Sequence, residues 1–124
     1  MNTNSEKLAR LGDITDVIWQ TASHKLREKA REEQAIAARI DDLLREQQVC
    51  SNGLAKEDIQ PGQMMSTVRW MKWSETERRR INIQLARVRA ELARERAQAK
   101  RAFGKKVAVE ALRKSAANVR PALS

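Results

Sequence analysis

Two runs of residues spaced three and four apart, separated by one segment rich in turn formers, constrain this chain more than any other feature. The first run reads Leu8, Leu11, Thr15, Ile18, Ala22, Leu26, Lys29, Glu33, Ile36, Ile40 and Leu43. The second reads Trp70, Trp73, Glu77, Ile81, Leu85, Val88, Leu92, Glu95, Ala99 and Phe103. Such spacing lays side chains along one face of an α-helix. Two consecutive steps of four, at Ile18, Ala22 and Leu26, predict a stutter beside Trp19. Between the runs, Ser51-Asn52-Gly53 and Pro61-Gly62 are turn signals. Ser5 and Ser66 are placed to cap the two helices. The expected layout is helix one over residues 5–48, a link over 49–65, helix two over 66–118 and a loose tail over 119–124. Gly12 and Gly104 are weak points within the arms, because glycine costs about 1 kcal/mol in a helix interior.

Neither arm can bury its stripe alone, so the runs must cover each other. Composition leaves no other source of cohesion: of 124 residues a third are charged and only 3% are aromatic, so burial has to come from a long thin seam. The expected fold is all-α, a single antiparallel two-helix coiled-coil hairpin with arms on the order of 70 Å long at 1.5 Å per residue. Folding about the link brings Leu43 near Trp70, Leu26 near Val88 and Leu11 near Phe103.

The net charge is +9, and it is unevenly spread: residues 1–65 carry 9 Lys+Arg against 11 Asp+Glu, whereas residues 66–124 carry 16 against 5. A negatively charged partner is implied. Candidate partner-binding residues are Trp70, Trp73, Arg78, Arg79, Arg80, Arg87, Arg94, Lys100, Arg101, Lys105 and Lys106. For the tryptophans two readings stand open, a cover for the hairpin end against Leu43, Leu44 and Met64, or an exposed recognition patch. Arg78, Arg79 and Arg80 fan around the helix and read either as a solvated face or as a site for an acidic surface. Arg87, Arg94 and Arg101 repeat every seven residues and so form a stripe.

No catalytic, cofactor or metal site is expected. His24 and Cys50 are the sole histidine and cysteine and lie far apart, and no phosphate-cradling glycine loop or nucleophile elbow is present. The N-terminal stretch has no basic segment followed by an apolar run, and the expected location is cytoplasmic, with a peripheral position at the inner face of the cytoplasmic membrane as the variant. "VRWMKW" mixes tryptophans with cations, but Ser74, Glu75, Thr76 and Glu77 follow, which argues against stable membrane insertion.

The stretch "STVRWMKWSETERRRINIQLARVRAEL" with the later "KRAFGKKVAVEALRKSA", in a basic helical chain with a central break, resembles the flagellar export stalk proteins of the FliJ type and their counterparts in type III secretion. The resemblance implies a non-enzymatic stalk or adaptor that couples a hexameric export ATPase ring to an export-gate protein and handles export chaperones. It places the basic stripe against ring loops and the tryptophans nearer the gate. The alternatives are a basic helical nucleic-acid binder, or a scaffold or chaperone hairpin for an acidic protein.

Overall fold

The computed structural model describes the backbone of residues 3–123 and the side chains of residues 3–118. Two helices make up the fold, α1 (Thr3–Leu54) and α2 (Pro61–Leu123). They pack antiparallel as an all-α two-helix hairpin. The contacts divide into a terminal unit, Met1–Lys29 with Glu91–Ser124, and a link unit, Ala30–Ala90.

Both helices overrun the expected bounds of 5–48 and 66–118, and the link shrinks from 49–65 to 55–60. The turn signals mark the helix ends themselves. Asn52 and Gly53 lie in the last turn of α1, where Ala55 N donates to Asn52 O at 3.3 Å and Lys56 N donates to Gly53 O at 3.3 Å. These bonds span three residues, the tight pattern that closes a helix C-terminus. Pro61 is the first residue of α2, a position that needs no N–H donor and suits proline's fixed φ. Gln60 acts as the cap, its carbonyl accepting from Met64 N at 2.9 Å. Ser66 therefore lies inside α2, and Ser5 inside α1. Gly12 and Gly104 interrupt neither helix. The loose tail expected at 119–124 falls on residues whose side chains lie outside the described part, while the backbone belongs to α2 as far as Leu123.

The inward-facing residues of α1 follow an unbroken alternation of four and three: Leu8, Gly12, Thr15, Trp19, Ala22, Leu26, Lys29, Glu33, Ile36, Ile40, Leu43, Gln47 and Cys50. The stutter is absent, because Gly12 and Trp19 occupy the seam positions expected for Leu11 and Ile18, which are 43% and 50% exposed. On α2 the alternation runs Thr67, Met71, Ser74, Arg78, Ile81, Leu85, Val88, Leu92, Glu95, Ala99, Ala102, Lys106 and Val109. Ser74 and Ala102 replace Trp73 and Phe103, both about half exposed. Constant geometry outweighs local hydrophobicity. A knob must arrive every 3.5 residues on average to keep facing its partner, so the helix accepts a small or polar residue at the right phase over a large apolar one beside it.

In the link unit the seam is branched and apolar, with Ile36 packed on Ile40, Leu43, Ile81 and Leu85. The terminal unit instead buries Thr15, Leu92, Ala99, Ala102 and Val109. Polar seam residues find partners across the hairpin. Gln47 Nε2 donates to Ser74 Oγ at 2.8 Å, and Ser74 Oγ donates to Met71 O at 2.9 Å. Lys29 Nζ meets Glu91 Oε2 at 2.7 Å, and Arg89 Nε meets Glu33 Oε1 at 3.2 Å. Such pairs offset the desolvation of groups that the seven-residue spacing turns inward. Among the described residues, Glu95 Oε2 is buried without a hydrogen-bond partner.

These pairs correct the register. With Gln47 against Ser74, Leu43 faces the turn around Arg78, about two turns beyond Trp70. With Lys29 against Glu91, Leu26 lies nearer Glu95 than Val88. In the terminal unit Trp19, not Leu11, meets Phe103, with ring centroids 6.2 Å apart. Residues 61–66 of α2 are accordingly all exposed, since they extend past the part of α2 that α1 covers.

Leu43 is fully buried, so Leu43→Ala is expected to cost about 2–4 kcal/mol in urea unfolding. Gly104 has open space where a Cβ would stand, and Gly104→Ala is expected to raise stability by about 0.5–1 kcal/mol in the same assay.

Candidate functional site

The seven-residue repeat decides which candidate residues are surface and which are structure. Arg94 and Arg101 occupy equivalent outward positions on α2, in phase with Trp73, Arg80 and Arg87. All five are exposed. The stripe read from Arg87, Arg94 and Arg101 thus extends toward the link by two further repeats, which the runs of arginine and tryptophan at 69–80 obscured. Trp73, Arg80 and Arg87 belong to the link unit, and Arg94 and Arg101 to the terminal unit.

Charge on these side chains is used differently along the row. Arg80 is held by Glu77 through Nε at 3.2 Å and through a second, closer contact from Nη2. The hydrogen bond and the charge of Arg80 lower the Glu77 carboxyl below its ordinary range, and Glu77 raises Arg80 in turn. A depressed carboxyl pKa stabilises above the unfolded value and loses that contribution as pH falls through the folded one. Arg78 and Arg79 share Glu75, at 3.5 and 3.7 Å. The three consecutive arginines are therefore paired within their own helix, and Arg78 is half-buried at a seam position. By contrast, among the described residues Arg94, Lys100, Arg101 and Lys105 have no acidic side chain within ion-pair distance, and all four are exposed.

Lys106 does not belong with them. Its ammonium stands 4.6 Å from the centroid of the Trp19 ring, 3.6 Å from Asp16 and 3.7 Å from Glu110, and the side chain is only 23% exposed. It is a seam residue whose cation closes over Trp19, a role that adjacent lysines in the sequence do not distinguish.

The tryptophans divide between the two readings. Trp70 is half-buried and Trp73 is 50% exposed, with ring centroids 6.4 Å apart and planes tilted by 47°. Leu43 and Met64 are not their common cover: Leu43 is buried farther along the seam, and Met64 is exposed in the overhanging first turns of α2. Met65, Val68 and Trp73 are exposed along the same end of α2.

His24 Nε2 lies 3.0 Å from Glu28 Oε1, and Cys50 is a half-buried free thiol. Among the described residues no group of three His, Cys, Asp or Glu side chains could hold a metal ion. No helix among them is long and apolar enough to cross a membrane. Comparison with family models, with curated proteins and with solved structures finds no match to this chain.

Lys106→Ala is expected to destabilise the fold by about 1–2 kcal/mol, measured by thermal unfolding, through lost packing and cation–π contact with Trp19. Lys105→Ala, one residue away and exposed, is expected to stay within about 0.5 kcal/mol.

Proposed function

We propose that the chain is a non-enzymatic helical adaptor that holds a protein partner of acidic surface, and that it serves as the stalk of a type III protein export apparatus. The observation that carries the protein-binding reading is that Arg94, Lys100, Arg101 and Lys105, all exposed on α2, have no acidic partner within ion-pair distance among the described residues. A hairpin that needed these charges for its own cohesion would pair them, as it pairs Arg89 with Glu33 and Lys29 with Glu91. Left to solvent, they raise the local potential and favour encounter with a negative surface.

The export assignment rests on the resemblance in the aromatic opening and the basic, alanine-rich close of the second arm. In that role the terminal unit presents Arg94 and Arg101 to a hexameric export ATPase ring. The exposed Met64, Met65, Val68 and Trp73 lie at the link, on the side of an export-gate protein or an export chaperone. The chain acts by differential contact with ring subunits, which biases their states without any bond being made.

The test is co-elution of the full chain with a purified hexameric export ATPase encoded by the same genome. The expected result is a complex whose affinity falls about tenfold or more in Arg94→Glu/Arg101→Glu. Absence of a complex, together with double-stranded DNA binding whose log K falls steeply and linearly with log salt, would replace the adaptor with a nucleic-acid binder.

A further inference from the structure

Over residues 11–26, α1 is apolar on more of its circumference than α2 can cover. Thr15, Trp19, Ala22 and Leu26 face the seam, yet Leu11, Ile14, Val17 and Ile18 are 43%, 55%, 60% and 50% exposed. Leu11, Ile14 and Ile18 are spaced three and four apart, so they form a second row beside the seam, with Val17 at its outer edge. A helix with apolar rows on two adjacent faces is built to contact two neighbours, and the hairpin supplies one.

This second row borders a hollow in the terminal unit. Val17, Ile18 and Lys25 of α1 and Gln98 of α2 line it, with Ala22 and Ala102 among its small members. Small residues there leave a concave trough between the helices. The seven-residue repeat puts Lys105 and Leu112 on the same line of α2 as Gln98, and Arg94 and Arg101 on the adjoining line farther from the seam. An apolar row thus borders the trough along α1 as far as Lys25, and the cations Lys105, Arg94 and Arg101 flank it along α2. The terminal unit carries 14 Lys+Arg against 7 Asp+Glu, and the link unit 11 against 9.

From this arrangement we infer that the trough is a docking site for an acidic amphipathic helix of a partner protein, which seats its apolar stripe on Leu11, Ile14 and Ile18 and its carboxylates on Arg94, Arg101 and Lys105. The chemistry selects this occupant. A second copy of the chain would bring two units of formal charge +7 together. A phosphate backbone would satisfy the cations and leave the apolar row wet. A bilayer surface is flat on this scale and does not fill a trough. An acidic helix answers both rows at once, in the manner of helix-in-groove recognition. The site lies on α1 and the flank of α2, and it stands whether or not the export reading holds.

The test uses the full chain and three fluorescent synthetic peptides of about three heptads: a Leu-seamed helix flanked by Glu, its twin flanked by Lys, and a scrambled form of the first. Fluorescence anisotropy is expected to show binding of the acidic helix, with the Lys twin and the scramble weaker by about tenfold or more. Ile14→Ser/Ile18→Ser is expected to weaken the acidic helix about tenfold or more, and Arg94→Gln/Arg101→Gln to do the same, with helicity by circular dichroism retained in both. The arginine variant and the peptide comparison on the unaltered chain carry the test even if the isoleucine variant unfolds. The inference is overturned by no binding of the acidic helix, or by an affinity that ignores the isoleucines. It is equally overturned if sedimentation shows a dimer that Ile14→Ser/Ile18→Ser dissolves, or if anionic phosphatidylglycerol vesicles, rather than the peptide, bind through those residues.

Discussion

Everything in this hairpin depends on the phase of a seam that returns every seven residues on both helices. An α-helix left to itself drifts relative to a straight partner, and only a strict alternation of three and four keeps the same face turned inward. The chain holds that phase at chemical expense. It turns Lys29, Glu33, Ser74, Glu95 and Lys106 toward the seam and leaves Leu11, Ile18, Trp73 and Phe103 at or beyond its edge. The apolar cluster around Leu43, Ile81 and Leu85 anchors the link unit, while polar pairs such as Lys29 with Glu91 supply register. Each pair is satisfied in one alignment and orphaned in others. That is the circumstance in which a buried polar contact contributes specificity more than net stability.

The same phase sorts the surface. Cations that fall on the seam or beside it are consumed by the fold, as Lys106 is by Trp19, Asp16 and Glu110. The three consecutive arginines Arg78, Arg79 and Arg80 are consumed by their own helix, through Glu75 and Glu77. Arg94, Arg101 and Lys105 stay exposed on one flank of α2, with no acidic side chain within ion-pair distance among the described residues.

The existence of two long helices, their antiparallel pairing and the seam membership of Ile36, Ile40, Leu43, Ile81, Leu85 and Val88 were legible in the spacing of the apolar residues. The phase was less so, because the eye follows hydrophobicity. Leu11 and Ile18 attract the seam more than Gly12 and Trp19 do, and Trp73 and Phe103 more than Ser74 and Ala102. Each substitution moves the seam by one residue and creates a stutter the fold does not have. Phase carried through from the strong positions Ile36, Ile40, Leu43, Ile81, Leu85 and Val88 recovers the true assignments. The register error has a separate cause. Turn residues at 51–53 and 61–62 suggested a broad link, whereas they sit inside the helix ends, and Pro61 starts α2 early enough to overhang. Of the candidate site, the repeat of Arg87, Arg94 and Arg101 was visible in the chain. The apolar row beside it is not, since hydrophobic spacing alone assigns Leu11 and Ile18 to the seam.

Intramolecular cross-linking in a Cys50→Ser background tests the phase and register together. Gln47 and Ser74 are in side-chain contact, so paired cysteines in Q47C/S74C are expected to form a disulfide rapidly on mild oxidation, and those in L43C/W70C are not. Rapid bridging in L43C/W70C with none in Q47C/S74C would contradict the alignment on which the link unit's seam and the overhang of α2 depend.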